Sequence, residues 1–350
     1  MLRNLTLKGI TPYLLGFFIA LGGALLAKFL NAPLPWLIGP LLITAVTSMM
    51  GVPSQSHNIF RKLGQWVIGT SLGLYFTPHT VTTIINFWPY LVLGCLFALL
   101  LSMFNAFCLK YWGHVDFKTA WFAGAVGGAS EMSNLAEHYH ARVDSVASSH
   151  SVRVLLVVVT LPFIYKMLGV HGDIASPASL SYHFNIWGLL QLIAITSVGI
   201  FLFSKFHIPN AWVLGSLGAS LLLTSNEIHL THLSPMIQST GQLFIGWSLG
   251  SKYGPDFFKK APRYLTVSAL TTVAALVVSA IFAYILSLLA NIQFSTMMLG
   301  VSPGGIAEMT ITAKVLMLGV PIVAAFHVTR MVFILIVAQP MYKLLAKWFE

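Results

Sequence analysis

Long apolar segments follow one another through nearly the whole of this 350-residue chain. A helix needs about 20 predominantly apolar residues to cross the hydrocarbon core of a bilayer, which is roughly 30 Å thick. Segments near that length form two consecutive sets of six, at 11–30, 34–52, 62–78, 84–110, 118–140 and 146–168, and at 184–205, 209–224, 238–254, 262–290, 295–316 and 320–346. The pattern predicts an all-α, polytopic membrane protein.

The scarcity of charge supports this class and excludes others. Only 8% of the residues are Asp, Glu, Lys or Arg, against about 25% in an ordinary soluble domain. So few charged side chains cannot cover a soluble core, which excludes a soluble enzyme, a disordered regulator and a secreted disulfide scaffold. The chain has 19 basic and 9 acidic residues. We expect this basic excess to orient loops at a membrane rather than to bind nucleic acid.

One sequence pattern occurs twice. The motif Gly-Gln-x-x-Ile-Gly-x-Ser-Leu-Gly, the motif Gly-Gly-x-x-Glu-Met and the motif His-x-x-Arg each return 177 residues later. The matched segments are 64–73 with 241–250, 127–132 with 304–309, and 150–153 with 327–330. Agreement at one constant offset indicates internal duplication. We therefore predict one integrated membrane domain built from two repeats, at 1–173 and 174–350.

The basic residues predict that the two repeats have opposite orientations. The fifth segment of each repeat is interrupted by glycines. If this segment does not cross the membrane, each repeat crosses five times, and the second repeat begins on the opposite side from the first. With a cytoplasmic N-terminus, 13 basic residues then lie inside and two outside. A parallel arrangement would place Lys252, Lys259, Lys260 and Arg263 outside. We expect two inverted-topology repeats of about five spans each, with both termini cytoplasmic. The sequence leaves open whether the Gly-broken segment is re-entrant or discontinuous and crossing, because a non-crossing third segment would give the same parity.

Two glutamates lie inside apolar segments at equivalent places. Glu131 and Glu308 each follow a Gly-Gly pair by three residues, and such glycines permit an unwound turn. A charge at the centre of a bilayer costs at least about 2.5 to 3.5 kcal/mol on insertion scales. We interpret the two breaks as a substrate-binding or ion-binding site, with the residues Gly127, Gly128, Ser130 and Glu131 in the first repeat and Pro303, Gly304, Gly305 and Glu308 in the second. The alternative is a structural role for the glutamates, as helix caps or ion-pair partners.

Each repeat also contains a deep His/Arg pair. His150 and Arg153, like His327 and Arg330, are three residues apart and share a helix face. An arginine stays charged and needs a partner, and the glutamates are the nearest candidates. We expect two Glu/His/Arg clusters around a pseudo-two-fold axis, with arginines and half-helix N-termini holding an anionic group and Glu and His handling protons. A static salt bridge between helices is the alternative.

Other motifs indicate packing rather than chemistry. Gly69-x-x-x-Gly73 and Gly246-x-x-x-Gly250 predict close helix contacts. The sequence contains no Cys/His spacing of a metal site, and no P-loop, nucleophile elbow or dinucleotide-binding turn. We therefore expect no metal ligands, no cofactor and no enzymatic activity.

The duplicated Gly-Gly-x-x-Glu-Met with His-x-x-Arg downstream resembles the AbrB-type family of bacterial inner-membrane proteins, also labelled the AidB-regulator or ammonia monooxygenase family. The resemblance covers nearly the whole chain. Residues 303–309 are similar to the family's Pro-Gly-Gly-x-x-Glu-Met pattern, whereas Val126 stands where that pattern has Pro. The resemblance implies a multi-pass protein of the bacterial inner membrane. The soluble DNA-binding regulator that shares the letters AbrB has a different fold. More distantly, the layout resembles inverted-repeat antiporters and bile-acid symporters.

These features favour a secondary transporter of a small metabolite, anionic or neutral, coupled to protons or sodium. Its partners would be the lipid bilayer, the substrate and the coupling ion, without nucleic acid, and a homo-oligomer is allowed. The alternative, which the family's regulatory label implies, is a membrane regulator or sensor that affects gene expression through a partner. A membrane oxidase fits least, because the sequence shows no metal motif.

Overall fold

The computed structural model describes residues 7–172, 185–255, 257 and 261–349. This part of the chain contains 15 α-helices and no strand, which confirms the predicted all-α class. The first eight helices are α1 (Leu7–Phe29), α2 (Pro35–Met49), α3 (Asn58–Gly73), α4 (Pro78–Asn86), α5 (Trp88–Tyr111), α6 (Phe117–Gly124), α7 (Ala129–His138) and α8 (Val143–Met167). The other seven are α9 (Ile186–Lys205), α10 (Ala211–Ser225), α11 (Pro235–Gly250), α12 (Pro262–Ala290), α13 (Phe294–Val301), α14 (Ile306–Val315) and α15 (Val320–Phe349).

Six of these helices are long and apolar enough to cross a membrane. They are α1, α5, α8, α9, α12 and α15, and α2 and α10 are shorter apolar helices. The chain is therefore a multi-pass membrane protein. The two fifth segments that the sequence predicts as broken are divided in the structure, the first into α6 and α7 and the second into α13 and α14.

The helices of the two repeats correspond in order. α1, α2, α3 and α5 to α8 match α9 to α15 one for one, and α4 is a short extra helix in the first repeat. The left-handed backbone positions recur as well, which shows that the connections also correspond. Leu34 (φ 48°) matches Asn210 (φ 52°), and His140 (φ 52°) matches Met317 (φ 54°).

The chain forms two compact units, and each takes helices from both repeats. The first unit contains α1 to α3 and α9 to α11, and the second contains α4 to α8 and α12 to α15. The spatial units therefore cut across the predicted sequence repeats at 1–173 and 174–350.

Glycines hold the first unit together at close helix contacts. A methyl group on Gly73 would overlap the hydroxyl of Ser220 on α10, and one on Gly250 would overlap the hydroxyl of Thr44 on α2. The predicted role of the two Gly-x-x-x-Gly motifs in helix packing is thereby confirmed. The equivalent helices α3 and α11 lie against each other and run in opposite directions, because the rings of Phe60 and Trp247 are 4.9 Å apart while Gly64 meets Gly241.

Equivalent helices are also antiparallel in the second unit. At one end of the α5–α12 pair, the Tyr90 hydroxyl donates to the carbonyl oxygen of Leu289 at 2.9 Å. At the other end, Arg263 Nε donates to the carbonyl oxygen of Trp112 at 3.0 Å. α5 therefore ends where α12 begins.

Candidate functional site

The helix breaks consist of extended backbone. After α6, Ala125 has φ −58° and ψ 129°, and Gly128 has φ −69° and ψ 135° before α7 begins. In the second repeat, Ser302 has φ −59° and ψ 146°, and Gly305 has φ −83° and ψ 152°. Helical hydrogen bonding stops at both places, which leaves main-chain carbonyl groups without helical partners.

Both broken segments are re-entrant, which answers the question that the sequence leaves open. Near the start of α6, Thr119 Oγ1 accepts a hydrogen bond from the main-chain N–H of Arg142, at the start of α8 (3.0 Å). Thr296 Oγ1 accepts one from Gly319 N–H in the same way (3.2 Å), before α15. Because the following long helix begins beside the start of the first half-helix, the chain enters and leaves at the same end.

The breaks lie deep within the second unit. Arg153 and Arg330 contact them, and each is the eleventh residue of its long helix, α8 or α15. At 1.5 Å per residue this places the contact about 15 Å from the start of the helix, or half the thickness of a hydrocarbon core.

The two arginines clamp the breaks through their carbonyl groups. Arg153 donates from Nη1 to Ala125 O at 2.8 Å and from Nη2 to Gly127 O at 3.2 Å. Arg330 donates from Nη1 to Ser302 O at 2.5 Å and from Nη2 to Gly304 O at 2.8 Å. In a continuous helix, main-chain N–H groups would donate to these carbonyl oxygens, and here the guanidinium N–H groups do so instead. Non-helical backbone at membrane depth needs such partners inside the protein.

Each arginine is held by the histidine one turn before it. His150 Nδ1 lies 2.7 Å from Arg153 Nη2, and its Nε2 lies 2.9 Å from Phe122 O. Arginine only donates, so Nδ1 accepts and Nε2 carries the proton that it donates to the carbonyl. His327 repeats this pattern with Arg330 and Leu299 O, at 2.9 Å each. These hydrogen bonds require neutral rings and give the histidines a positioning role.

The expected Glu–Arg pairing is not what the structure shows. Among the described residues, neither Arg153 nor Arg330 forms a hydrogen bond or ion pair with a carboxylate, since their Nη1 and Nη2 groups bond to carbonyl oxygens and to histidine. Their Nε atoms are buried without a partner in the described part of the chain. The main-chain carbonyl groups at each break accept these hydrogen bonds instead.

The glutamates fold back onto the N-termini of the second half-helices. Gly128 is the N-cap of α7 and Gly305 is the N-cap of α14. A methyl group on Gly128 would collide with Oε2 of Glu131, and one on Gly305 would collide with Oε2 of Glu308. A carboxylate at the third helical position lies where the helix dipole is positive. Both carboxylates are therefore held beside the breaks, at the starts of α7 and α14.

Known proteins are similar to this chain over most of its length. A family model described as "Transition state regulatory protein AbrB" matches residues 36–346, a range that includes both breaks and both His/Arg pairs. The chain belongs to the AbrB family. It is similar to "Uncharacterized protein YhjN" of Bacillus subtilis (strain 168), with 26% identity over 357 residues, 94% of this chain and 92% of the relative. It is also similar to "Putative regulator AbrB" of Escherichia coli (strain K12), with 26% identity over 291 residues, 81% of this chain and 82% of the relative.

The two site halves of this AbrB-family protein differ in exposure. Glu308 is 7% exposed and Ala307, before it, is 4% exposed. In the first repeat, Glu131 is half-buried and Ser130 is exposed. Both histidines and both arginines are buried.

Sequence reasoning missed a serine that holds the first break. Ser102 Oγ on α5 accepts a hydrogen bond from Val126 N–H at 2.9 Å and donates to Ala98 O at 2.7 Å. In the second repeat, the equivalent of Val126 is Pro303, which has no N–H to donate. The equivalent of Ser102 is Ser279, and its buried hydroxyl has no partner in the described chain. The Val/Pro difference is visible in the sequence, but its partner on another helix is not.

Candidate metal ligands are scarce at the sites of this AbrB-family chain. Within the described ranges, no group of three or more His, Cys, Asp or Glu side chains is arranged to hold a metal ion. Cys95 and Cys108 are both buried, unbridged thiols.

Proposed function

We propose that this AbrB-family protein is a secondary transporter of the bacterial inner membrane that moves a small metabolite coupled to protons or sodium. The observation that carries the proposal is the duplicated re-entrant break, clamped near mid-membrane and followed at once by a carboxylate. Broken helices at the bilayer midplane, one in each repeat, are where secondary transporters bind substrate and coupling ion.

The antiparallel pairing of equivalent helices supports inverted repeats. α3 runs against α11 and α5 against α12, as two halves with opposite membrane orientation require. Basic residues are found at the end of the second unit where α5 ends and where α6 and α12 begin. They are Lys110, Lys118 and Arg263. Under the positive-inside rule, this end of the second unit is cytoplasmic. We propose that both termini are cytoplasmic too, as the basic residues of the sequence predict.

The charge around the breaks favours a substrate with an anionic group. Arg153 and Arg330 are buried, and each has an Nε–H without an acceptor among the described residues. Uncompensated buried charge is costly. A carboxylate or similar group on the substrate would accept hydrogen bonds from these donors, while Glu131 and Glu308 are the groups that a proton or sodium ion would neutralise.

A ligand-stabilisation screen tests the proposal. The purified protein is heated in detergent with a library of metabolites, with and without sodium and at two pH values, and the unfolding midpoint is recorded. A ligand at 100 times its Kd stabilises the folded state by about 2.7 kcal/mol. We expect at least one metabolite to raise the midpoint of the wild type and of the exposed-loop control Glu227→Gln, and to lose this effect in Glu131→Gln or Glu308→Gln. A library that stabilises none of the proteins would contradict the proposal.

A second candidate is a membrane regulator that acts through a partner protein. The family description and the name of the Escherichia coli relative both favour this function, because both names describe a regulator. Expression profiles separate the two functions. A regulator that works through a docked partner would keep its effect on transcription in Glu131→Gln and Glu308→Gln, whereas an effect that follows transport would disappear in both variants.

A further inference from the structure

The second half-helix of the first repeat exposes a row of polar side chains. Ser130, Asn134 and Glu137 on α7 are separated by four and then three residues, so they lie on one helix face, and all three are exposed. The row begins one residue after the start of α7 and ends one residue before its last, His138. Glu131 lies at the edge of this face and is half-buried.

The equivalent half-helix of the second repeat lacks this row. The counterparts of Ser130 and Asn134 are Ala307 and Ile311, which are 4% and 1% exposed. The counterpart of Glu137 is Lys314, which is half-buried. The five residues that follow Glu308 on α14, from Met309 to Ala313, are therefore all buried.

The polar row runs from the depth of the break to the end of the second unit where α8 begins. α7 extends about 15 Å, from the break contacted by Arg153 back to the end where α8 begins. Exposed hydroxyl, amide and carboxylate groups within the hydrocarbon region face water-filled cavities rather than lipid.

We propose that the polar face of α7 (Ser130, Asn134 and Glu137) lines a water-filled passage from one membrane surface to Glu131. The route along α14 to Glu308 is closed. The two carboxylates therefore differ in this conformation: an aqueous phase reaches Glu131 along α7, and none reaches Glu308 along α14. The passage opens at the end where α5 ends and α12 begins, which the proposed topology makes cytoplasmic.

The passage also assigns contacts to the transported solute. A hydrophilic molecule on its way to the break passes the Glu137 carboxylate, then the Asn134 amide and then the Ser130 hydroxyl, so these side chains determine which solutes enter. This part of the inference rests on the proposed transport function, whereas the water-filled passage does not.

Cysteine labelling tests the passage without any substrate. Cys95→Ala and Cys108→Ala together give a thiol-free background. Ser130→Cys and Asn134→Cys are then made singly, and each protein is exposed in sealed vesicles to a charged, membrane-impermeant methanethiosulfonate from one side at a time. The reactive species is the thiolate, which needs water, and one unit of thiol pKa changes its population about tenfold.

Matched positions supply the controls. Ala307→Cys and Ile311→Cys occupy the equivalent positions of α14, and Leu100→Cys is an exposed apolar position in the middle of α5. Labelling in denaturant confirms that each thiol is present, and gel filtration confirms that each variant is folded. We expect Ser130→Cys and Asn134→Cys to react from the cytoplasmic side at least about ten times faster than all three controls.

Three outcomes would overturn the passage. Reaction of the α7 thiols only with an uncharged, membrane-soluble maleimide would mean that the face meets lipid. Reaction only after denaturation would mean that protein covers it. Equal rates at Ala307→Cys and Ile311→Cys would mean that the two halves are equally open. Ligand binding and uptake test the transport proposal separately. The labelling result can therefore contradict the passage without contradicting transport, and the uptake result can contradict transport without contradicting the passage.

Discussion

Arg153 and Arg330 donate hydrogen bonds to carbonyl groups that the interrupted helices leave without helical donors. The planar guanidinium group reaches two of these carbonyl groups at once. Each guanidinium spans two carbonyl oxygens of a break and contacts the neighbouring histidine. The sequence predicts that His and Arg share a face, because their spacing of three residues requires it. It does not predict that their partners are carbonyl groups, because main-chain acceptors have no residue signature.

Replacing these arginines by lysine should therefore destabilise the protein. A lysine ammonium is a point charge and cannot bridge both carbonyls in the way the planar guanidinium group does, and each lost charged hydrogen bond costs about 1.5 to 3 kcal/mol. We expect lower unfolding midpoints in detergent for Arg153→Lys and Arg330→Lys. Arg142→Lys is the control, since the exposed Arg142 bonds through its side chain to Ser145, and a loss as large there would contradict the clamp.

The serines on α5 and α12 give a second prediction at the same scale. Ser102→Ala leaves the buried Val126 N–H without its acceptor, which costs about 1 to 3 kcal/mol. Ser279→Ala removes a buried hydroxyl that has no partner in the described chain, so its cost should be near zero. Thermal unfolding of both variants measures the difference. In a Val126→Pro background the penalty of Ser102→Ala should vanish, and a penalty that persists would show that Ser102 acts in another way.

At the scale of helices, the sequence predicts the order of the apolar segments and the two breaks, because hydrophobic runs and Gly-Gly breaks are local signals. It does not predict the short helix α4. It leaves re-entry undecided, since the parity of crossings is the same for either arrangement. That answer depends on Thr119 meeting Arg142 N–H and Thr296 meeting Gly319 N–H, which are contacts between elements.

The glycine contacts of the first unit lead to a prediction about helix packing. Gly73→Ala places a methyl group against the Ser220 hydroxyl and the Leu217 carbonyl, and such overpacking costs about 1 to 3 kcal/mol. Gly22→Ala on α1 is the control, because nothing lies within 4 Å of the added methyl group. We expect a lower unfolding midpoint for Gly73→Ala and no loss for Gly22→Ala. Equal midpoints for the two variants would show that α3 and α10 adjust freely.

At the scale of the whole molecule, the two repeats are interleaved, and each compact unit contains helices from both. The duplication is readable from the constant spacing of the motifs. The interleaving is not, because nothing local indicates that α3 pairs with α10 or α11 pairs with α2. The same limit applies to the site, where the sequence identifies the residues but not the difference in exposure between Glu131 and Glu308.

Gradient-driven uptake measures the central claim most directly. Vesicles containing the purified protein are given a mixture of metabolites outside, a proton or sodium gradient is imposed, and the contents are analysed by mass spectrometry. We predict that at least one metabolite accumulates with wild type and with Glu227→Gln, only while a gradient is present, and that accumulation falls to the level of empty vesicles with Glu131→Gln or Glu308→Gln. If neither gradient drives accumulation of any metabolite by the wild type, or if the glutamate variants accumulate it as well as the wild type does, the two breaks are not an ion-coupled transport site.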